Sequence, residues 1–399
     1  MIDRRAFLKN TVLATTSLTI PYFLKGCDQG THQLGDEGNK SLIILQMGGG
    51  NDGLNTIVPY NNDIYYRNRP TLGLKKNEIL DLNGELGVNP AFQVIKELYD
   101  QGQVAIINNV GYPNPIRSHF RSMDIWHTAS DHDKYLSTGW LGRYLDMSCQ
   151  DCNPYEILEM DDNLSLALKG ENQSGFAVSS IDNLKRSTSN PIISTVAQHH
   201  HDHDHDENVA YLYRTLANTY STTDYLYQQN QLFKTSTTYP GSVLGKSLKQ
   251  VAELIISGTK TRIYYVRVVG FDTHTFQRNA QSRLFKGISE GLTALIKDLK
   301  AHNKFDDTLI MAFSEFGRRV KENGSKGTDH GAASNLYLIG NNLKRPGFYN
   351  EGPDLVNLDK GDLIYTVDFR QVYATLLDRW LKVNDEGVLG RKFDLLDVI

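Results

Sequence analysis

Residues 309–331 read LIMAFSEFGRRVKENGSKGTDHG, and the change of character along this stretch points to the class of fold. The short apolar run Leu309-Ile310-Met311-Ala312 predicts a buried strand. It breaks into Ser314, Glu315, Phe316, Gly317 and Arg318, then a polar glycine-rich turn, then Thr328, Asp329, His330 and Gly331. In an open α/β sheet, ligands bind beyond the carboxyl ends of the strands, where loops present polar groups without burying unpaired backbone. The stretch is therefore expected to form one wall of a metal-dependent hydrolytic site.

The same pattern recurs along the chain. Leu42-Ile43-Ile44-Leu45 predicts a buried strand running into the glycine-rich residues 48–56, where Asp52 is placed to ligate a hard cation. The G-x-G-x-x-G spacing of a dinucleotide site is absent there. Val104 to Ile107 predicts a further strand, followed by Pro113, Pro115 and then Arg117-Ser118-His119-Phe120-Arg121. That sequence sets a hydroxyl beside an imidazole and between two cations. Ser118 is a candidate nucleophile, His119 and Arg121 candidate stabilisers of an anionic group, and capping of the following helix is the structural alternative for Ser118. The strand 263–269 ends in Gly270-Phe271-Asp272-Thr273-His274, where Asp272 and His274 on extended backbone can face one ion together. Helices are expected over 89–101, 245–257, 281–300 and 369–381 from their apolar spacing, and a further strand over 336–339. Residues 341–362 read as loop, and 153–240 is polar with no clear period before Val209.

A chain of 399 residues with 40% hydrophobic and 10% aromatic content can bury a substantial core. Its net charge of −4 provides no basic excess, which argues against nucleic-acid binding. Arg4-Arg5 ahead of Phe7-Leu8-Lys9 and a modest apolar run predicts a twin-arginine export signal over residues 1–27, with the periplasm or cell surface as destination. Leu24-Lys25-Gly26-Cys27 is an imperfect lipoprotein box, so Cys27 is a candidate lipid anchor to a membrane and 28–40 a flexible tether to an ordered domain over 41–399. Cys149 and Cys152 suit a short disulfide in an exported protein. The alternating histidine and aspartate tract near 199–207 reads as a mobile solvated loop rather than the active site.

Six blocks carry a family resemblance: GGGNDGLNTIVPY (48–60), RSHFRSMDIWHTAS (117–130), GWLGRYL (139–145), FDTH (271–274), SEFGRRVKENGSKGTDHG (314–331) and TVDFRQVYATLLDRWL (366–381). Together they resemble a bacterial family of twin-arginine-exported proteins of unknown function in the alkaline phosphatase and sulfatase superfamily. The resemblance implies an α/β fold with a mainly parallel central sheet between helical layers. It also implies metal ligands and a nucleophile at the strand ends. Asp52 matches the first metal aspartate of the superfamily, and Ser118 falls at the nucleophile. Asp272 with His274 resembles the later Asp/His metal pair. Glu315 stands where an Asp-His pair is expected, but Phe316 replaces the histidine. His330 with Asp329 either supplies the last ligand or itself corresponds to that pair.

The resulting expectation is a hydrolase of phosphate or sulfate esters using a divalent metal, with Zn foremost and Ca, Mg or Mn as alternatives. Ser118, His119 and Arg318 would serve catalysis, and Asp52, Asp272, His274, Glu315, Asp329 and His330 the metal. Its substrate would be an anionic ester. The alternative is a non-catalytic envelope protein on the same scaffold, binding polysaccharide or a partner protein.

Overall fold

Ser41–Gly48 (β1) is buried at every position before its final glycine, as a strand covered on both faces must be. Successive side chains leave it in opposite directions: Leu42 and Ile44 join one apolar cluster, while Ile43, Leu45 and Met47 join another. Each fully buried side chain of this size contributes roughly 1.5–3 kcal/mol, so the alternation fixes the strand between two helical layers. The structure is a computed structural model and describes residues 40–148, 153–198 and 207–399. The expected export signal with Cys27, the tether up to Asn39, Cys149, Cys152 and the histidine-rich tract as far as Asp206 lie outside the described residues.

Eight further strands join β1 in one sheet: Val104–Gly111 (β2), Ile157–Glu159 (β3), Phe176–Ala177 (β4), Ile263–Val269 (β5), Thr308–Phe313 (β6), Ser334–Ile339 (β7), Gly347–Phe348 (β8) and Val367–Asp368 (β9). Their order is β8-β2-β7-β6-β1-β5-β3-β4, with β9 beside β2. All pairings are parallel except those of β7, which runs antiparallel to both β2 and β6. The fold is thus α/β with a mainly parallel sheet. Helices Gln93–Asp100 (α1), Val243–Ser257 (α4) and Gln277–Ala301 (α5) supply the cluster on one face, where Phe92 and Phe285 stack at 4.7 Å. Helices His119–Thr128 (α2), Trp140–Ser148 (α3) and Phe369–Thr375 (α6) supply the other, where the Trp126 ring stacks on Phe313 and Phe369.

The differences from expectation have local causes. The segment 153–198, with no clear period in sequence, contains the sheet strands β3 and β4 and the helices Ile181–Thr188 and Pro191–Gln198. Strands of two or three residues are too short to establish an alternation. The helix expected over 369–381 is α-helical only to Thr375 and continues as a π turn, Leu376–Leu381. Within 341–362, expected as loop, lie β8 and the small hairpin of Leu358–Asp359 with Asp362–Leu363. Among the described residues, no helix is long and apolar enough to cross a membrane.

Candidate metal centre at the strand ends

The loops after β1, β2, β5 and β6 leave the same edge of the sheet, and each carries one of the polar blocks seen in sequence. The loop after β6 folds back on itself. Arg318 and His330 form an antiparallel bridge, the Gly317 N–H donates to the Ala332 carbonyl and the Gly331 N–H to the Gly317 carbonyl. A Cβ at Gly317 would sit 1.9 Å from the Ala333 carbonyl oxygen, so only glycine permits this return. The fold-back carries His330 to the loop after β5, which holds Asp272 and His274. After β2, Pro113 and Pro115 lead to Ser118 at the N-cap of α2, and His119 is the first helical residue.

These loops converge on one oxygen. Asp272 Oδ1 lies 3.0 Å from His274 Nε2, 3.1 Å from His330 Nε2 and 3.4 Å from His119 Nε2. His274 Nε2 and His330 Nε2 are 2.9 Å apart. Ligand atoms around one zinc-like ion, at bonds of roughly 2.0–2.2 Å, would be separated by roughly 3.3–3.6 Å in a tetrahedron. The His119–Asp272 spacing falls in that range and the other three lie inside it. His119, Asp272 and His330 bring one ligand atom each within 4.8 Å of one another, and His274 stands beside Asp272 and His330.

The other nitrogen of every ring has its own partner. His119 Nδ1 is 2.9 Å from Glu315 Oε1, His274 Nδ1 is 3.3 Å from Asp329 Oδ1, and His330 Nδ1 is 2.7 Å from the Arg117 carbonyl oxygen. An acceptor at each Nδ1 assigns the proton there, so each neutral ring directs an Nε2 lone pair inward. Three lone pairs then face the Asp272 carboxylate oxygen, an arrangement that a cation relieves. His119 Nε2 is buried without a hydrogen-bond partner, as an atom reserved for a ligand would be. Rings oriented by carboxylates and a carbonyl are the usual support of metal-binding histidines. The residues present therefore fit a single divalent cation.

Electrostatics agree with this division of labour. Partial burial disfavours ionisation of Asp272, but the hydrogen bond from Arg318 and the Arg318 charge hold its carboxyl well below the usual range. The hydrogen bond to Glu315 raises the His119 pKa against the opposing effect of burial. A hydrogen bond from Asn323 holds Asp329 down, with His274 adding to it. The Asp272 side chain remains 48% exposed, so the cluster is open to solvent.

Several residues stand elsewhere than the sequence led us to expect. Asp52 is not among the converging ligands. Its carboxylate is fully buried, 2.5 Å from Arg69 Nη1 and 2.5 Å from Gln277 Nε2. Glu315 and Asp329 orient histidines rather than join the converging atoms, and His119, expected as a charge stabiliser, points its Nε2 at the centre. Arg318 is committed: its guanidinium donates to the carbonyls of Gly49, Gly50, Phe271 and Thr328 and to Asp272, tying three loops together. Arg121 is similarly occupied by the carbonyls of Asp131, His132 and Lys134. Phe316 lies under the cluster, its ring 4.8 Å from that of His119 and 4.9 Å from that of His330. It covers Gly50, whose φ of +73° and absent Cβ leave room for the ring. Ser118 is exposed, and its hydroxyl makes no capping hydrogen bond.

Sequence reasoning missed Arg69, Gln277 and the Arg117 carbonyl. Arg69 sits in a polar stretch with no periodic signal, and only the tertiary fold brings it to Asp52. A backbone carbonyl leaves no trace in residue identity.

No curated protein matches the sequence. Among solved structures, the chain resembles the PsFucS1 sulfatase from Pseudoalteromonas sp., at 11% identity and a TM-score of 0.39, covering 90% of this chain and 70% of that one. It resembles the phosphonate monoester hydrolase SpPMH from Silicibacter pomeroyi at 10% identity and a TM-score of 0.39, covering 89% and 78%. A protein in the alkaline phosphatase superfamily from Vibrio parahaemolyticus gives 12% and 0.37, covering 88% and 72%. At such identities and scores, the chemistry of these proteins remains their own. The sequence itself gives the firmer assignment: residues 103–389 match the family described as Protein of unknown function (DUF1501), and the chain belongs to that family.

Proposed function

We propose that this chain is an exported hydrolase of phosphate or sulfate esters built around one divalent cation. The observation that carries the reading is the convergence of three imidazole Nε2 atoms on Asp272 Oδ1, each ring braced from behind. His119, His274, His330 and Asp272 would hold the ion, and a nitrogen-rich donor set favours zinc over calcium or magnesium, with manganese between. When bound, the cation supplies Lewis acidity toward the anionic ester group. Glu315, Asp329 and the Arg117 carbonyl keep the three rings in one tautomer. Ser118, exposed and uncapped beside His119, presents the hydroxyl nearest the centre in sequence. As nucleophile its Oγ would bond to phosphorus or sulfur as the bond to the leaving oxygen breaks, its proton passing to solvent water and the leaving oxygen taking one from it. Water would then hydrolyse the serine ester. The amino end of α2 adds partial positive charge where the ester's anionic oxygens would lie. The Arg4-Arg5 segment would be its export address, with Cys27 as lipid anchor.

Hydrolysis of aryl phosphate and aryl sulfate panels with Zn, Mn, Mg or Ca tests the reading, with Ser118→Ala and His274→Ala as controls. Turnover should depend on the metal and fall at least 100-fold in both variants, on the order of the loss of an activated nucleophile. A wild type no faster than Ser118→Ala on every substrate would overturn it. One observation favours the alternative of a non-catalytic envelope protein: Arg318 and Arg121, the arginines expected to stabilise the transferring group, are already committed to backbone carbonyls. That reading predicts metal binding without turnover.

A further inference from the structure

Two phenyl rings stand in solvent within two residues of histidines of the candidate metal centre. Phe120, directly after His119, is 87% exposed, and Phe276, two residues after His274, is 73% exposed. Consecutive Cα atoms are about 3.8 Å apart, so both positions lie within about 8 Å of a histidine that reaches Asp272. They arrive from different strand ends, after β2 and after β5.

Phe276 also occupies a conformation that suits it poorly. Its φ of 45° and ψ of 37° are left-handed, a region a bulky side chain seldom adopts. The turn is held by backbone hydrogen bonds from Phe276 to Ser325 and from Gln277 to Lys326. Glycine would meet the same backbone demand without strain, and a polar side chain would meet the same exposure without an apolar penalty. Strain and exposure at one residue beside a site are grounds for a functional hypothesis. The guanidinium donors of Arg318 and Arg121 are already occupied, which leaves contacts to the rest of the substrate to other groups.

Resting on the reading above, we infer that Phe120 and Phe276 form an aromatic rim that grips the leaving group of the ester, selecting substrates whose leaving group has a flat, C–H-rich face. An aryl ring and the apolar face of a pyranose share that chemistry. Both rings are specificity determinants and neither acts on the reacting atoms.

Calorimetry on the full zinc-loaded chain tests this without turnover. Phenylphosphonate should bind about tenfold more tightly than methylphosphonate, the difference expected when part of one ring is buried. Phe120→Ala and Phe276→Gly should each reduce that preference, and the double variant should abolish it. Phe276→Gly should melt no lower than wild type, which separates lost recognition from lost folding. With esters, the variants should raise KM for phenyl phosphate more than they lower kcat, and a pyranosyl phosphate run in parallel tells aryl from sugar. An equal affinity for the two phosphonates in wild type, or a preference that survives in the double variant, would overturn the rim. A rim-dependent preference without hydrolysis of any ester would leave the rim standing and overturn the hydrolase, while hydrolysis without the preference would do the reverse.

Discussion

At the residue scale the centre depends on groups that do not themselves converge on it. Glu315 is buried, accepts the Gly49 N–H at 2.8 Å and holds the His119 ring. Glu315→Gln keeps an acceptor in place but loses the charge, so zinc affinity measured by competition with a chelator should fall roughly 10–100-fold while the fold persists. Arg69→Met leaves the Asp52 carboxylate buried without its cation, and urea unfolding should record a loss of about 3–5 kcal/mol. Glu159 provides a pH dependence of its own. Burial pushes its carboxyl up to about 7, against a hydrogen bond from Ser165. Its folded pKa exceeds its unfolded one, so the folded state holds the proton through that window and stability falls as pH rises from about 4.5 to about 7, by up to roughly 3 kcal/mol. Glu159→Gln should flatten that slope, and an unchanged slope would place the dependence elsewhere. Residue types alone marked Asp272, His274 and His330 as candidate ligands, and the structure brings the three together. They did not separate ligand from brace for His119, Glu315 and Asp329, because that distinction rests on which ring nitrogen faces which neighbour.

At the scale of elements, the long strands were plain in sequence because they are apolar throughout. Ile263–Val269 matches its expected bounds, and Thr308–Phe313 extends the expected run by a residue at each end. The short strands β3 and β4 were not legible, since two or three residues can be held in a sheet by their neighbours without any pattern of their own. Nor was the antiparallel direction of β7, which the fold-back of residues 314–333 imposes. That fold-back can be broken at one position. Gly317→Ala would drive a methyl group into the Ala333 carbonyl, and the loop must open to accept it. A loss of more than about 2 kcal/mol is expected, together with weakened zinc binding because His330 is carried on the returning limb. Wild-type zinc affinity in this variant would mean that His330 is not a ligand.

At the scale of the whole molecule, strands from both ends of the described chain meet in one sheet, and the centre draws residues from 119 to 330. Metal binding should therefore stabilise the fold as a unit. At free zinc about 100 times the dissociation constant, linkage adds about 2.7 kcal/mol, or a melting shift of ~4 °C for a chain of this size. His274→Ala should lose most of that shift. The central claim is that Asp272, His119, His274 and His330 hold one cation at the strand ends. Anomalous scattering at the zinc edge from crystals of the zinc-loaded protein tests it most directly. The account predicts one strong peak within bonding distance of Asp272 Oδ1 and the three Nε2 atoms. No peak among those four atoms, or a peak at Asp52 instead, would contradict it.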